Sequence, residues 1–388
     1  MARAHDRADA DRVRLHAVGV PVLRPVLPGQ LPGLHPRRRL AGPVPRAGGA
    51  PRPRATPPAT TDCRARRAAG PTDRRIRRRR RPERRIVLHD FTGWPTGPLH
   101  LAVGVFDGVH LGHQALIRGL VGGAYAAGAT PIAATFDPLP AQVLAQDPPQ
   151  STLADAPERA ALLEHAGAAA VIVFTFDKAF SQQSAEAFIK RVTKAGDVQR
   201  IVVGPDFQFG HGREGAVPAL HALGETYRFA VTVVEPISLG GAAVSSTRIR
   251  QALRQGDLAT AQQLLGRPYS ATGTIVKGEQ RGRALGFPTI NVAPPPDKLL
   301  PLDGIYATWV VLGDKRYRAA SSLGVRPTFG GGPRKLEAFI LDFNEDVYGQ
   351  EATISFVERL RDEVQFDSAD DLSTQIAKDV ERTRLALR

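Results

Sequence analysis

Residues 99–113, LHLAVGVFDGVHLGH, decide the fold. Leu99–Val105 is a short apolar run broken by Gly104, the pattern of a buried strand. Gln114–Ala127 reads as a helix, so Phe106-Asp107-Gly108-Val109-His110-Leu111-Gly112-His113 spans a strand-to-helix turn. Further apolar runs at Thr130–Phe136, Ala170–Phe174, Ile201–Val203 and Val231–Val234 alternate with helical segments near 156–166, 184–195 and 217–223. Strands alternating with helices imply a parallel sheet covered on both faces. Ligands of such sheets sit at the carboxyl ends of strands, where Gly104–His113 falls.

A helix N-terminus offers unpaired N–H groups and a partial positive charge, so His110-x-Gly112-His113 suits a phosphate. Gly112 would let the phosphate approach the backbone, with the two imidazoles flanking it. The bland reading of such a pair is two solvated or capping histidines. Ser245-Ser246-Thr247-Arg248-Ile249-Arg250 opens a second helix with a hydroxyl cluster, and its arginines could reach distal phosphates. Taken alone, that hexapeptide reads more readily as a capped helix with surface arginines. Gly210-His-Gly212-Arg-Glu-Gly215 fits G-x-G-x-x-G but follows an aromatic loop late in the domain, so it reads as a turn and not a dinucleotide fingerprint.

Thr135-Phe136-Asp137-Pro138 and Gly204-Pro205-Asp206-Phe207-Gln208-Phe209-Gly210 lie between these motifs. In this order and spacing, the segments over 87–267 resemble the adenylyltransferase module of bacterial bifunctional riboflavin kinase/FAD synthetases, within the HxGH nucleotidyltransferases. The resemblance implies that His110 and His113 stabilise charge on the α/β phosphates of ATP. Ser246, Thr247 and Arg250 would hold the departing pyrophosphate. Gly104, Phe106, Asp107, Gly112, Asp206 and Ser245 would complete the nucleotide site, and Phe136, Pro138 and Phe207 would border the flavin. Two departures matter: Leu139 stands where relatives usually carry His, and Ala243 where many carry a basic residue. Both would remove phosphate contacts and lower the rate.

Beyond a joint at Gly266-Arg267-Pro268-Tyr269, strand-like runs occur at Ala271–Val276, Ile305–Leu312, Arg316–Ala320, Lys335–Leu341 and Ala352–Phe356. Close-spaced strands with Gly, Pro and Asp turns suggest a small antiparallel barrel. Leu372, Ile376, Val380 and Leu385 suggest a closing helix. Gly273-x4-Gly278-x3-Gly282-Arg283-x-Leu285-Gly286-Phe287-Pro288-Thr289-Ile290-Asn291, with Gly324-Val325-Arg326-Pro327-Thr328-Phe329 and Leu341-Asp342-Phe343, resembles the riboflavin kinase module of the same family. Glu337 shares one strand face with Phe339 and Leu341, while Leu336, Ala338 and Ile340 share the other. Both faces are apolar, so the strand reads as largely buried, where a carboxylate is costly unless paired or used. A Glu paired with an arginine at a barrel rim is the alternative. The resemblance makes Glu337 the base that deprotonates the riboflavin 5′-hydroxyl. It makes Thr289 and Asn291 the Mg²⁺ ligands, and puts Gly278, Gly286 and Pro288 at the nucleotide.

Composition sets the limits. The chain has 388 residues and a net charge of +14, but residues 1–85 hold 23 Arg and 6 acids, leaving 29 bases against 32 acids in the rest. The mildly acidic body argues against nucleic-acid or membrane-surface binding. A single cysteine, Cys63, excludes a disulfide framework or a Cys-based zinc cluster. No apolar run approaches the roughly 20 residues of a membrane span, which fits a cytoplasmic protein. Residues 1–85 lack Phe, Tyr, Trp, Ser, Asn and Lys and are dominated by Arg, Pro, Ala and Gly, a composition of disorder. They read more as translated sequence upstream of a start near Val87 than as a functional tail. The expected organisation is therefore 1–85 leader, 86–267 FMN adenylyltransferase domain with a Rossmann-like parallel sheet, and 268–388 riboflavin kinase domain. The substrates would be riboflavin, FMN and ATP, with Mg²⁺. Two other readings are a kinase whose first domain is weakened or inactive, and an RNA binder using Arg74–Arg85. Oligomeric state is not encoded in any motif.

Overall fold

The computed structural model describes residues 87–144, 151–278, 281–325 and 334–388. The leader, with Cys63 and the Arg74–Arg85 run, lies outside the described residues, as does Arg326–Phe329. The first domain runs β1 (Val87–His89), β2 (Pro98–Val103), α1 (Leu111–Ala127), β3 (Thr130–Asp137), α2 (Pro140–Leu144), α3 (Ala156–His165) and β4 (Ala170–Thr175). It continues with α4 (Lys178–Ser181), α5 (Ala185–Ala195), β5 (Asp197–Val203), α6 (Val217–Tyr227) and β6 (Ala230–Val233). A two-stranded hairpin, β7 (Ser238–Leu239) and β8 (Ala242–Ala243), precedes α7 (Ser246–Arg254) and α8 (Leu258–Leu265).

Six strands form one parallel sheet in the order β1-β4-β3-β2-β5-β6. From β2 the chain steps outward through β3 to β4, then returns to the other side of β2 as β5 and β6. The strand order reverses beside β2, and such a reversal opens a crevice at the carboxyl ends. Alternate residues of β2 supply both faces: Leu99, Leu101 and Val103 pack with Phe188, Ile189 and Val192 of α5, and Ala102 packs with Ile117, Leu120 and Leu163. Burial on two faces explains the near-continuous apolar runs. The segment at 210–215 is a turn, with a 3₁₀ stretch at His211–Arg213.

The second domain holds β9 (Tyr269–Val276), α9 (Arg281–Ala284), β10 (Ile290–Ala293), β11 (Gly304–Leu312), β12 (Lys315–Gly324), β13 (Lys335–Ile340), β14 (Glu351–Arg361) and α10 (Ala369–Ala386). Its six strands close into an antiparallel barrel, β10-β13-β12-β11-β14-β9. Closure leaves no free sheet edge. Tyr306, Val310, Ile354 and Phe356 fill the core. Helix α10 is capped by Ser368 and tied to β14 where Arg361 donates to Asp379 at 2.7 Å.

Candidate active sites

The turn after β2 delivers His110 as the N-cap of α1, its Nδ1 accepting the His113 N–H at 3.4 Å. One helical turn later, the His113 ring stacks on His110, with centroids 3.6 Å apart and planes 18° apart. Gly112 lies directly beneath: a Cβ there would come within 3.1 Å of the His110 ring, so glycine serves the imidazole here. Burial, with the Arg267 guanidinium nearby, pulls His110 down to about 4. Burial and the proximity of His110 pull His113 well below the ordinary histidine value. Both rings are therefore neutral near pH 7 and offer N–H donors, not fixed charges. His113 Nδ1 is buried and has no hydrogen-bond partner among the described residues.

Three residues expected at the phosphates are turned inward. Asp107 is 2% exposed; its Oδ1 accepts the N–H groups of Leu153 (2.9 Å) and Ala154 (3.1 Å), and its Oδ2 accepts Arg250. Burial pushes this carboxyl up, opposed by Arg250 and the two backbone donors. These contacts tie Asp107 into the scaffold behind the turn. Arg250, 6% exposed, also donates from Nε to Ser151 O at 3.0 Å, which directs much of its fork into the protein. Phe106 is buried, with its ring beside Gly104 and edge-on to His113 at 5.2 Å. Its ring forms a wall behind the histidine.

The start of α7 is arranged as the sequence suggests for a capped helix: Ser245 accepts the Arg248 N–H, and Ser246 Oγ donates to Asp107 O at 2.8 Å. Thr247 is exposed and lines a cleft with Arg250, Gln251, Arg254 and Gln255. Asp206 and Pro138 are exposed at the carboxyl ends of β5 and β3. Phe136 packs edge-on to Phe176 and Phe180, while Phe207 stacks on Phe209 at 5.2 Å; both phenylalanines border the same core. Leu139 is 3% exposed, so a larger polar side chain at this position would have to enter a buried site. Ala243 is exposed.

In the barrel, β10 pairs with β13 so that Asn291 lies opposite Glu337. Residues directly opposed across an antiparallel pair point to the same side. Thr289, just before β10, donates to Glu337 Oε2 at 3.2 Å. Gly278 completes the cradle: a Cβ there would fall 2.3 Å from the Asn291 amide nitrogen. Gly286 turns the chain with φ 81°, and Pro288 is exposed. The expected deep burial of β13 holds for one face only. Leu336, Ala338 and Ile340 are buried, whereas Lys335, Glu337 and Phe339 are half-buried. The cost of the carboxylate is smaller than the sequence implied, because its face opens toward solvent.

The Flavokinase family of riboflavin kinases matches residues 265–387, and the FAD_syn family of FAD synthetases matches 96–248. The bifunctional riboflavin kinase/FMN adenylyltransferase of Escherichia coli (strain K12) is 36% identical over 294 residues, covering 75% of this chain and 94% of that protein. The Listeria monocytogenes protein of the same name is 36% identical, with 73% and 91% covered. The chain belongs to the bifunctional riboflavin kinase/FMN adenylyltransferase family. It carries both the riboflavin kinase and the FAD synthetase domain of that family. A crystal structure described as a macrolide-efflux protein from Streptococcus pneumoniae superposes with a TM-score of 0.69 at 32% identity, covering 77% of this chain and 99% of that one. No helix among the described residues is long and apolar enough to cross a membrane.

Several residues that build these sites carried no signal in the sequence. Arg267 donates to Gly108 O at 2.8 Å, and Gln114 Nε2 bridges Val109 O (3.0 Å) and Leu265 O (2.9 Å). Arg159 is fully buried and donates to Ala154 O at 2.8 Å and Phe136 O at 2.6 Å. Each bonds to backbone carbonyls, which have no side-chain signature.

Proposed function

We propose that the two reactions of the family run at two separate sites of this chain, kinase at Glu337 and adenylyl transfer at His110/His113. The observation that carries the first is the Thr289–Asn291–Glu337 grouping across β10 and β13, two neutral oxygen-bearing side chains beside one carboxylate. Glu337 takes the proton of the riboflavin 5′-hydroxyl as that oxygen attacks the γ-phosphorus of ATP. The bond to the β-bridging oxygen breaks, and ADP leaves with FMN formed.

Riboflavin kinases and FAD synthetases use ATP with a divalent metal, and the donors here suit Mg²⁺. Thr289 and Asn291 supply hard oxygens, and Mg²⁺ typically takes only one or two protein ligands with substrate phosphates and water for the rest. Among the described residues no cluster of three or more His, Cys, Asp or Glu side chains could hold a metal alone. Bound there, the ion would neutralise phosphate charge. Thr289 and Asn291 would hold it, and the Gly278 cradle keeps Asn291 in place.

At the other site, an FMN phosphate oxygen attacks the α-phosphorus of a second ATP and pyrophosphate leaves. The nucleophile is already an anion, so no general base is required and the protein acts by positioning and by donating hydrogen bonds. His110 and His113 donate from neutral rings, α1 presents its N-terminus, and Thr247 reaches the departing phosphates. Asp107 and Arg250 fix the turn from behind. Incubating the protein with riboflavin, ATP and Mg²⁺ and resolving the flavins by chromatography tests the reading: FMN should appear first and FAD after it, and FMN without FAD would leave only the kinase.

A further inference from the structure

Ser151–Ala154 is gripped from both domains. On the first-domain side, the N–H groups of Leu153 and Ala154 meet Asp107 Oδ1, and the Ser151 carbonyl meets Arg250. On the barrel side, Thr152 N–H donates to Asp297 O and Leu299 N–H donates to Thr152 O, both at 2.8 Å. Lys298, in the connection between β10 and β11, crosses this seam with 6% exposure. Its Nζ donates to Leu153 O at 2.7 Å and pairs with Glu158 at 2.5 Å, above the Tyr269 ring. The Leu153 carbonyl and the Ala154 N–H belong to one peptide group. A continuous polar chain therefore runs from the Lys298 ammonium through that peptide to Asp107, and on to Arg250. Bonds in such chains polarise and strengthen one another.

We infer that Lys298, a residue of the kinase barrel, is a positioning residue for the FAD-forming site. It orients the 153–154 peptide, which orients Asp107, whose backbone leads into the Gly108–His110 turn. The inference rests on the assignment of adenylyl transfer to His110 and His113. A buried ion pair alone is weak evidence for anything beyond packing, so the decisive property is selectivity between the two reactions.

The test uses the full chain with Lys298→Met and Glu158→Gln together, which removes the ammonium without leaving a buried unpaired carboxylate. FMN-to-FAD and riboflavin-to-FMN kcat/KM are measured on the same preparation. Misplacing reactants by an ångström can cost about 10²-fold. The expected result is an FAD-forming kcat/KM lower by about tenfold or more, with a raised KM for ATP in that step and kinase kcat/KM within about twofold. Lys298→Arg, which still donates to Leu153 O and pairs with Glu158, should recover part of the loss. An FAD-to-kinase ratio changed by less than about fivefold, including a parallel fall of both reactions, overturns the inference. If His113→Ala keeps wild-type FAD formation, the site assignment itself fails and the inference falls with it.

Discussion

Lowering the pH from 7 to 5 should destabilise the first domain through His110. The free imidazole titrates near 6.5, and burial beside Arg267 brings it to about 4 in the folded protein. Because the folded value is the lower one, the unfolded chain binds the extra proton. Stability is intact above about pH 6.5 and is lost progressively as the pH falls toward 4. The whole gap is worth about 3 kcal/mol at 1.36 kcal/mol per pH unit. At pH 5 the unfolded ring is almost fully protonated and the native one mostly neutral, so about 2 kcal/mol is lost there. The two tryptophans, Trp94 and Trp309, lie one in each domain. In a Trp309→Phe background, urea unfolding followed by Trp94 fluorescence therefore reports the first domain. His110→Asn keeps a side-chain acceptor at the N-cap and should flatten the loss between pH 7 and 5 by about 2 kcal/mol relative to the parent. Equal pH dependence in the two proteins would refute a buried neutral imidazole at this position.

Four other outcomes follow from the geometry. Asp107→Ala leaves Arg250 buried with its carboxylate partner gone and should cost about 3–5 kcal/mol by urea unfolding; a loss below 1 kcal/mol would show that the pair is not structural. Asn291→Ala should raise the Mg²⁺ concentration needed for half-maximal FMN formation, and Gly278→Ala should do the same by displacing the amide; an unchanged Mg²⁺ dependence for both would make Asn291 a structural residue. Leu139→His puts an imidazole into a buried apolar position and should lower the melting temperature with no gain in FAD formation. Ala243→Arg, on the exposed hairpin, should raise that rate if a basic residue there meets phosphate, and a rate gain from Leu139→His alone would contradict the burial argument.

The elements were most legible where pattern and packing agree. Strands β2, β3 and β4 are buried on two faces, so their apolar runs mark them directly. The barrel strands other than β10 carry β-branched and aromatic residues between clear turns. β10 escaped because Ile290–Ala293 is short and follows Pro288, so its strand character comes only from pairing with β9 and β13. At the sites, residue type identified the right neighbourhoods but not the direction each side chain takes. Asp107, Phe106 and Arg250 lie within the motifs, yet all three face inward, because side-chain partners decide orientation: His113 beside Phe106, and Asp107 against Arg250 far along the chain. Arg159, Arg267 and Lys298 hold backbone carbonyls across domain elements, and nothing local in the sequence announces such a bond.

The most direct test of two separate sites is complementation between Glu337→Gln and His113→Ala. Loss of a general base costs about 10²–10⁴-fold, so Glu337→Gln should lose FMN formation while converting supplied FMN to FAD at the parental rate. His113→Ala should make FMN normally and no FAD. Riboflavin given to a mixture of the two proteins should then reach FAD through released FMN. If both variants lose the same reaction, or if Glu337→Gln makes FMN within a few-fold of the parent, the division of labour between the barrel and the parallel-sheet domain is wrong.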